Sequence, residues 1–203
     1  MTVQSIVLYP ETVLRTRAAE VTEFDDRLGA LVDDLLETMK AHGGAGIAAN
    51  QIGSLARVFA FDCGGHYGHI VNPVWEAVGD AEQTGPEGCL SIPGIRADTT
   101  RYDTVTVRGF DRDGQPVEIT ADDIMARCIQ HETDHLDGVL FLQRLDPDTR
   151  KAAMRAVRET AWYTQSLAAT DNPGQYPVDY VNQDQAAPGV NQDQAAPGAN
   201  QEN

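Results

Sequence analysis

The sequence contains few of the features that mark secreted or membrane-spanning proteins. Its three cysteines, Cys63, Cys89 and Cys128, are too few and odd in number for a disulfide framework, and they suit a reducing cytoplasm. No run of about 18 apolar residues occurs, the least that a transmembrane helix needs, so we expect no membrane span. The first residues lack a basic start followed by a long apolar run, so we expect no secretory signal and a cytoplasmic protein.

Basic residues are also scarce. The chain has 15 Lys and Arg against 31 Asp and Glu, a formal net charge of −16. A protein that binds nucleic acid through its phosphates needs a basic surface, so we expect no DNA partner. The length of 203 residues suits one domain with a substantial core.

The segment HETDH at residues 131–135 is the most informative motif. His131 and His135 are four residues apart, so on a helix they face the same side and can bind one metal ion. Glu132 then lies beside the ion, where a carboxylate can take a proton from water. Two surface histidines on an amphipathic helix would give the same pattern.

A zinc-like site needs a third protein ligand. The long metalloprotease pattern HExxHxxGxxH fails, because Phe141 stands at its third histidine position. Glu159 has the spacing of a thermolysin-like ligand, but it follows Arg155 by four residues in a charged helix, where a solvated face also explains it. Cys89, in the turn-rich segment EGCLS (87–91), offers a thiolate, which is a strong ligand for zinc and Fe(II). A buried core cysteine is the alternative there.

A glycine-rich segment, GAGIAANQ at residues 44–51, follows a predicted helix and precedes an apolar strand. Its small residues let the backbone come close to a ligand, and Gln51 supplies an amide donor. Glycine-rich turns are common, so this segment alone is weak evidence.

Taken together, the three segments resemble the motifs of the peptide deformylase family, G-Φ-G-Φ-A-A-x-Q, E-G-C-Φ-S and H-E-x-D-H, where Φ is apolar. The resemblance covers roughly Gln4 to Tyr163. It departs at Ala45, where the family usually has a larger branched residue, which affects the shape of the peptide groove. The resemblance implies a metal-dependent hydrolase that removes the formyl group from the N-terminal formyl-methionine of newly synthesised polypeptides and releases formate.

The resemblance also implies roles for individual residues. It implies one divalent metal ion with three protein ligands: Cys89, His131 and His135. It implies Glu132 as the general base, with the Gln51 amide and the Leu90 backbone N–H as donors to the oxyanion. The substrate-binding residues that it implies are Gly44, Ala45, Gly46 and Cys128. It further implies that Glu87 and Arg101 form a pair that braces the cysteine loop.

The identity of the metal stays open at this point, and so do two alternative functions. The family's metal is usually Fe(II), although zinc, nickel or cobalt can occupy the site, and the sequence does not choose among them. One alternative function is a deformylase-like amidase that acts on another formylated substrate. The other is a zinc metallopeptidase with Glu159 as its third ligand.

Short strands grouped apart from the helices predict an α+β fold. The resemblance implies a fold of the same class, with short antiparallel strands packed around a central metal-binding helix. Asp25 and Asp26 open a helix to about Met39. The pair Thr120 and Asp123 is a capping-box pattern, which predicts a helix over about 121–136. Asp146-Pro147 opens the last helix. Strands are predicted at 56–62, 69–78, 104–110 and 116–120, with a hairpin turn at 111–114.

The C-terminal part of the sequence divides into a basic helix and a polar tail. Lys151, Arg155 and Arg158 form a basic stripe, which either docks on ribosomal RNA near the nascent chain or is an ordinary solvated face. We predict a catalytic domain over 1–165 and a disordered, low-complexity tail over 166–203. The tail contains the nine-residue repeat VNQDQAAPG twice, at 181–189 and 190–198, and is too polar to order itself.

Overall fold

A five-stranded antiparallel sheet, covered by helices, forms the centre of the computed structural model, which describes residues 2–170. The α-helices are α1 (Asp26–Ala41), α2 (Asp123–Leu136), α3 (Pro147–Glu159) and α4 (Ala161–Thr170). The strands are β1 (Gly46–Ala48), β2 (Val58–Cys63), β3 (His66–Ala77), β4 (Glu82–Cys89), β5 (Ile92–Tyr102), β6 (Thr104–Phe110) and β7 (Pro116–Asp122). The predicted α+β class is confirmed.

The strand order separates the sheet from a two-stranded arm. The sheet runs β1-β2-β3-β6-β7, while β4 and β5 pair only with each other, and we call this pair the β4–β5 arm. All of these pairings are antiparallel. The hairpin turn predicted between β6 and β7 is present, with the Gly114 N–H donating to the Asp111 carbonyl at 3.2 Å.

Strand β2 is buried on both sides because α1 and α2 cover opposite faces of the sheet. Phe59 and Phe61 belong to the apolar cluster that includes α2 residues such as Ile129. Val58 and Ala60, which alternate with them, belong to the cluster formed with α1. The alternation of side chains along a strand therefore anchors α2, the helix of the HETDH motif, against the centre of the sheet.

Two helices begin where the sequence predicts. The Asp25 carboxylate accepts hydrogen bonds from the N–H groups of Arg27 and Leu28, at 3.0 and 3.1 Å, and so caps α1. Asp146 caps α3 in the same way, accepting from the N–H groups at 148 and 149, and Pro147 is the first helical residue.

The predicted start of α2 is wrong. Thr120 is not a helix cap but lies in β7, where its Oγ1 is 2.9 Å from Oγ1 of Thr106 on the neighbouring strand. Strand β7 continues to Asp122, and α2 begins at Asp123. The cross-strand hydroxyl pair therefore replaces the capping interaction that the local pattern suggested.

Three strands, β1, β4 and β5, were not predicted from the sequence. The predicted tail repeats lie outside the described residues. The predicted domain boundary near residue 165 stays a prediction, and it falls within α4, which ends at Thr170. None of the helices within residues 2–170 is long and apolar enough to cross a membrane.

Candidate active site

Three potential metal ligands converge between the β4–β5 arm and α2. One donor atom each from Cys89, His131 and His135 lie within 4.8 Å of one another. The Cys89 Sγ is 3.2 Å from His135 Nε2. A tetrahedral zinc site with bonds of about 2.0–2.3 Å separates its ligand atoms by roughly 3.5 Å, so the cluster has the dimensions of a metal site.

Local structure explains how these side chains meet. His131 and His135 occupy successive turns of α2 and are 8% and 1% exposed, so both rings face the protein interior. Cys89 is the last residue of β4, at a point where the β4–β5 register shifts between Gly88 and Cys89. The arm thus ends with its thiol against the helix.

The surroundings shift the pKa values of the two histidines in opposite directions. Burial opposes protonation of His131, but hydrogen bonds to Cys89 and Glu87 outweigh it and raise the pKa of His131 well above its usual value. Burial, together with the positive charges of His131 and Arg101, lowers the pKa of His135, whose ring therefore stays neutral. A soft thiolate and two imidazoles are ligands that suit zinc and iron.

Glu87 orients the first histidine. Its Oε2 is 2.9 Å from His131 Nδ1. The other ring nitrogen, Nε2, is thereby left to coordinate an ion. Burial opposes ionisation of Glu87, but hydrogen bonds from Arg101 and His131 hold its pKa well below the usual range. The carboxylate therefore stays charged and fixes the ring orientation, as is common around metal-bound histidines.

Glu132 is a buried carboxylate beside this cluster. It is 4% exposed, and its Oε2 has no hydrogen-bond partner within the described residues. Burial raises the pKa of Glu132 to about 7. An unsatisfied buried carboxyl oxygen is costly, because it loses its hydration without gaining a partner.

Gln51 presents its side-chain amide to the Cys89 thiol. Its Oε1 accepts a hydrogen bond from the Ala48 N–H at 2.8 Å, which fixes the orientation of the amide. Its Nε2 lies 3.6 Å from Cys89 Sγ and 3.3 Å from Ser91 Oγ. Leu90 lies between those two residues, so its backbone N–H is on the same turn that carries the thiol.

The glycine-rich segment lies directly against the HETDH helix. A Cβ on Gly46 would be 2.5 Å from Glu132 Oε1 and 2.7 Å from Cys128 Sγ, which only glycine avoids. A Cβ on Gly44 would be 3.0 Å from the Leu90 side chain. Ala45 is exposed, while Cys128 is buried with its Sγ 3.7 Å from the Ala45 carbonyl. The structure thus brings all four predicted substrate-binding residues next to the metal cluster.

A mostly buried network of ion pairs lies next to the metal-ligand cluster. Arg101 donates to Glu87 at 2.8 and 3.0 Å and to Asp134 at 2.6 Å. Arg144 donates to both oxygens of Asp134, and Arg127 donates to Glu87 at 2.9 Å. The Glu87–Arg101 pair expected from the resemblance is present. The contributions of Asp134, Arg127 and Arg144 were missed, although Asp134 lies inside the HETDH motif.

The thermolysin-like hypothesis is wrong. Glu159 is exposed on α3, where its carboxylate accepts from Arg155 Nε at 3.0 Å, and it is not part of the metal-ligand cluster. Lys151, Arg155 and Arg158 are all exposed on α3, as a surface stripe requires.

Known proteins are similar to this chain in sequence and in fold. The sequence model of the Polypeptide deformylase family matches residues 3–151. This chain is a member of the peptide deformylase family. It is 56% identical over 167 residues to Peptide deformylase 1 of Corynebacterium efficiens, a match that covers 80% of this chain and 99% of the relative. It is 48% identical over 173 residues to a Peptide deformylase of Acidothermus cellulolyticus, covering 85% and 96% of the two chains.

Solved peptide deformylases have the same fold. The structure from Legionella pneumophila matches with a TM-score of 0.73 and 36% identity, over 83% of this chain and 98% of that chain. The Synechococcus elongatus structure, a complex with actinonin, matches with a TM-score of 0.72 and 34% identity, over 78% and 87% of the two chains.

Family membership establishes the class of reaction. Peptide deformylases are metal-dependent hydrolases that remove N-formyl groups from newly made polypeptides, and this chain is an enzyme of that family. The cysteine–histidine cluster is a possible metal site for this activity.

Proposed function

We propose that the activity is carried by one ion held by Cys89, His131 and His135, with Glu132 as the general base. The observation that carries this proposal is the approach of the three donor atoms to within 4.8 Å, beside a buried and unsatisfied carboxyl oxygen. An ion bound there would supply a Lewis acid that lowers the pKa of a coordinated water to about 7.

The remaining steps belong to side chains and to one backbone group of the protein. Glu132 accepts the proton of the attacking water and returns it to the leaving amine, for which its pKa of about 7 is suited. The Gln51 amide and the Leu90 backbone N–H donate to the oxygen that becomes negatively charged as the formyl carbon is attacked. Loss of one such donor typically costs about 10²–10³ in rate.

We propose formyl-methionyl nascent peptides as the substrate. Formyl is the smallest acyl group, and the approach of Gly46 to Glu132 and Cys128 leaves little room beside the base, which disfavours acetyl. Cys128 lies three residues before His131 on the same helix, and we assign it to the pocket for the methionine side chain. The exposed Ala45 shapes the rim of that groove.

The decisive experiment compares formyl-Met-Ala-Ser with its acetyl counterpart, with metal content measured on protein that has been purified anaerobically. We expect hydrolysis of the formyl peptide and no measurable hydrolysis of the acetyl peptide. Equal turnover of the two peptides would reject the proposed pocket. Failure on this peptide but turnover of another formylated compound would move the substrate assignment to a formyl amidase of different specificity.

We propose Fe(II) as the native ion and the cytoplasm as the place of action. Affinity alone favours zinc over iron for such ligands, so metal availability would have to select iron. Iron beside a thiolate is sensitive to oxygen, because the iron or Cys89 oxidises. The iron form should therefore lose activity in air sooner than a nickel-substituted form, and equal lifetimes would contradict an iron-dependent enzyme.

We propose that the basic stripe of α3, formed by Lys151, Arg155 and Arg158, docks on ribosomal RNA near the emerging chain. All three side chains are exposed on a molecule that is otherwise strongly acidic. Reversing Arg155 and Arg158 to Glu should weaken salt-sensitive binding to ribosomes and leave turnover of a short formyl peptide unchanged. Unchanged ribosome binding would leave the stripe as ordinary protein surface.

A further inference from the structure

A second cluster of sulfur atoms lies beside Cys128. Cys63, the last residue of β2, has its Sγ 3.4 Å from the Met125 Sδ. Its side chain also interacts with that of Cys128. Met125 and Cys128 are three residues apart, so they share one face of α2, and Cys63 lies over that face.

The two thiols differ in access to solvent. Cys63 is only partly buried and precedes the exposed glycines of the β2–β3 turn, whereas Cys128 is 7% exposed. An oxidant from solvent therefore reaches Cys63 first, and Cys128 is the thiol held behind it. This arrangement, one accessible cysteine with a second one in contact, is typical of redox-sensitive pairs.

The pKa shifts of the two thiols, like their exposure, make Cys63 the more reactive of the two. The interaction with Cys128 lowers the pKa of Cys63, while the interaction with Cys63 and burial raise the pKa of Cys128. The thiolate is the reactive form of cysteine, so Cys63 is the better nucleophile of the two.

We propose that Cys63 and Cys128 are a reversible oxidation site that forms a disulfide next to the substrate pocket. The oxidant is a hydroperoxide. The Cys63 sulfur attacks the peroxide oxygen, which gives a sulfenic acid and an alcohol, or water when the oxidant is hydrogen peroxide. The Cys128 sulfur then attacks the sulfenic sulfur, the S–S bond forms, and the hydroxyl leaves as water with the Cys128 proton. Two thiols are oxidised and one peroxide is reduced.

The disulfide changes the wall of the pocket. The Cys128 Sγ now lies 3.7 Å from the Ala45 carbonyl and close to the position that a Gly46 Cβ would occupy. A covalent bond to Cys63 is much shorter than a contact between two thiols, so the sulfurs must approach each other and the packing of Cys128 against the glycine segment changes. We expect kcat/KM on formyl-methionyl peptides to fall roughly tenfold, the scale of a misfit of one methylene in an apolar pocket.

The test uses the full-length nickel-loaded enzyme, because the ion protects Cys89 and avoids the oxidation of iron. The enzyme is treated with hydrogen peroxide, alkylated and digested, and its activity is measured before and after dithiothreitol. Trypsin alone leaves Cys63 and Cys89 in one peptide, since no Lys or Arg lies between Arg57 and Arg96. A second protease that cuts after Glu76, Glu82 and Glu87 separates these two cysteines.

We expect a peptide in which Cys63 is linked to Cys128, a fall in kcat/KM, and recovery of both thiols and activity with dithiothreitol. The Cys63→Ser variant should keep its basal activity and resist this inactivation. Absence of the linked peptide would overturn the proposal, as would equal inactivation of wild type and Cys63→Ser. The effect on activity rests on the proposed pocket, whereas the linked peptide does not, so a disulfide that leaves kcat/KM unchanged would reject the pocket assignment of Cys128 alone.

Discussion

Arg101 donates hydrogen bonds to two buried carboxylates, from Nε to Glu87 Oε1 at 2.8 Å and from Nη1 to Asp134 Oδ2 at 2.6 Å. Glu87 belongs to the β4–β5 arm and Asp134 to α2, so one guanidinium joins the two elements that supply the metal ligands. All three side chains are less than one-tenth exposed. Glu87 also accepts from Arg127 and Asp134 from Arg144, so Arg101 is the cation that the two carboxylates share.

Replacing Arg101 by Met should destabilise the protein strongly, because two buried carboxylates lose the guanidinium that they share and keep only Arg127 and Arg144 as cationic arginine partners. Removal of one member of a buried ion pair costs about 3–5 kcal/mol. Arg108→Met is a matched control, since Arg108 also contacts two carboxylates but is 55% exposed. We expect little change in the free energy of unfolding for that control, and similar losses for both variants in urea unfolding would contradict the role of burial.

Cys89→Ser should remove or greatly weaken metal binding, because Cys89 alone supplies sulfur to the cluster. Glu159→Ala should leave metal content unchanged, since its carboxylate pairs with Arg155 on the surface. Elemental analysis of both purified variants checks this. The opposite result would restore the metallopeptidase hypothesis.

Glu132→Gln should separate metal binding from chemistry. The amide has a similar shape but cannot accept the proton from water, so we expect stoichiometric metal and a loss of most of kcat. Parallel measurement of metal content and steady-state kinetics decides the matter. Near-normal turnover would show that another group acts as the base.

Gly46→Ala should disrupt the site although it adds a single methyl group. The new carbon would lie 2.5 Å from Glu132 Oε1 and 2.7 Å from Cys128 Sγ, so both side chains must move. Gly29→Ala is the control, because nothing lies within 4 Å of a Cβ at that position in α1. The control should be stabilised by about 0.5–1 kcal/mol, with kcat/KM unchanged. A fully active Gly46→Ala enzyme would contradict the described packing.

His69 should contribute to the acid sensitivity of the fold. Its Nε2 accepts a hydrogen bond from the Arg112 N–H at 2.9 Å, and burial and the Arg112 charge lower its pKa, against the opposing effect of nearby aspartates. The unfolded chain, with a His pKa of about 6.5, then binds the proton more readily than the folded one. Stability should therefore fall as the pH decreases through about 6.5. His69→Gln should show a smaller decrease over that range in urea unfolding, and an unchanged pH profile would exclude this contribution.

The sequence predicted the metal cluster better than the elements that carry it. HETDH and EGCLS are local motifs, and their residues meet in the fold. The β4–β5 arm was missed because β4 contains Gly85, Pro86 and Gly88, which normally interrupt strands, and because only one residue of β4 is buried. An arm of two strands shows little of the apolar alternation by which strands are recognised.

Partners set by tertiary packing also escaped prediction. Asn50 donates to the His135 carbonyl at 2.5 Å, across 85 residues of sequence. Arg127 reaches the carbonyl of Thr99 at 2.8 Å as well as Glu87. Nothing in the neighbourhood of these residues in the sequence identifies such partners. The separation of Cys63 from Cys128 hides their contact in the same way.

The placement of the ligands on two separate elements links metal supply to the lifetime of the folded enzyme. Cys89 comes from the β4–β5 arm and the histidines from α2, so an ion bound by all three would bind the folded chain and not the unfolded one. At a free-ion concentration about 100 times the dissociation constant, such binding adds about 2.7 kcal/mol to the free energy of unfolding. Chelation or metal starvation would then remove not only turnover but also resistance to proteases.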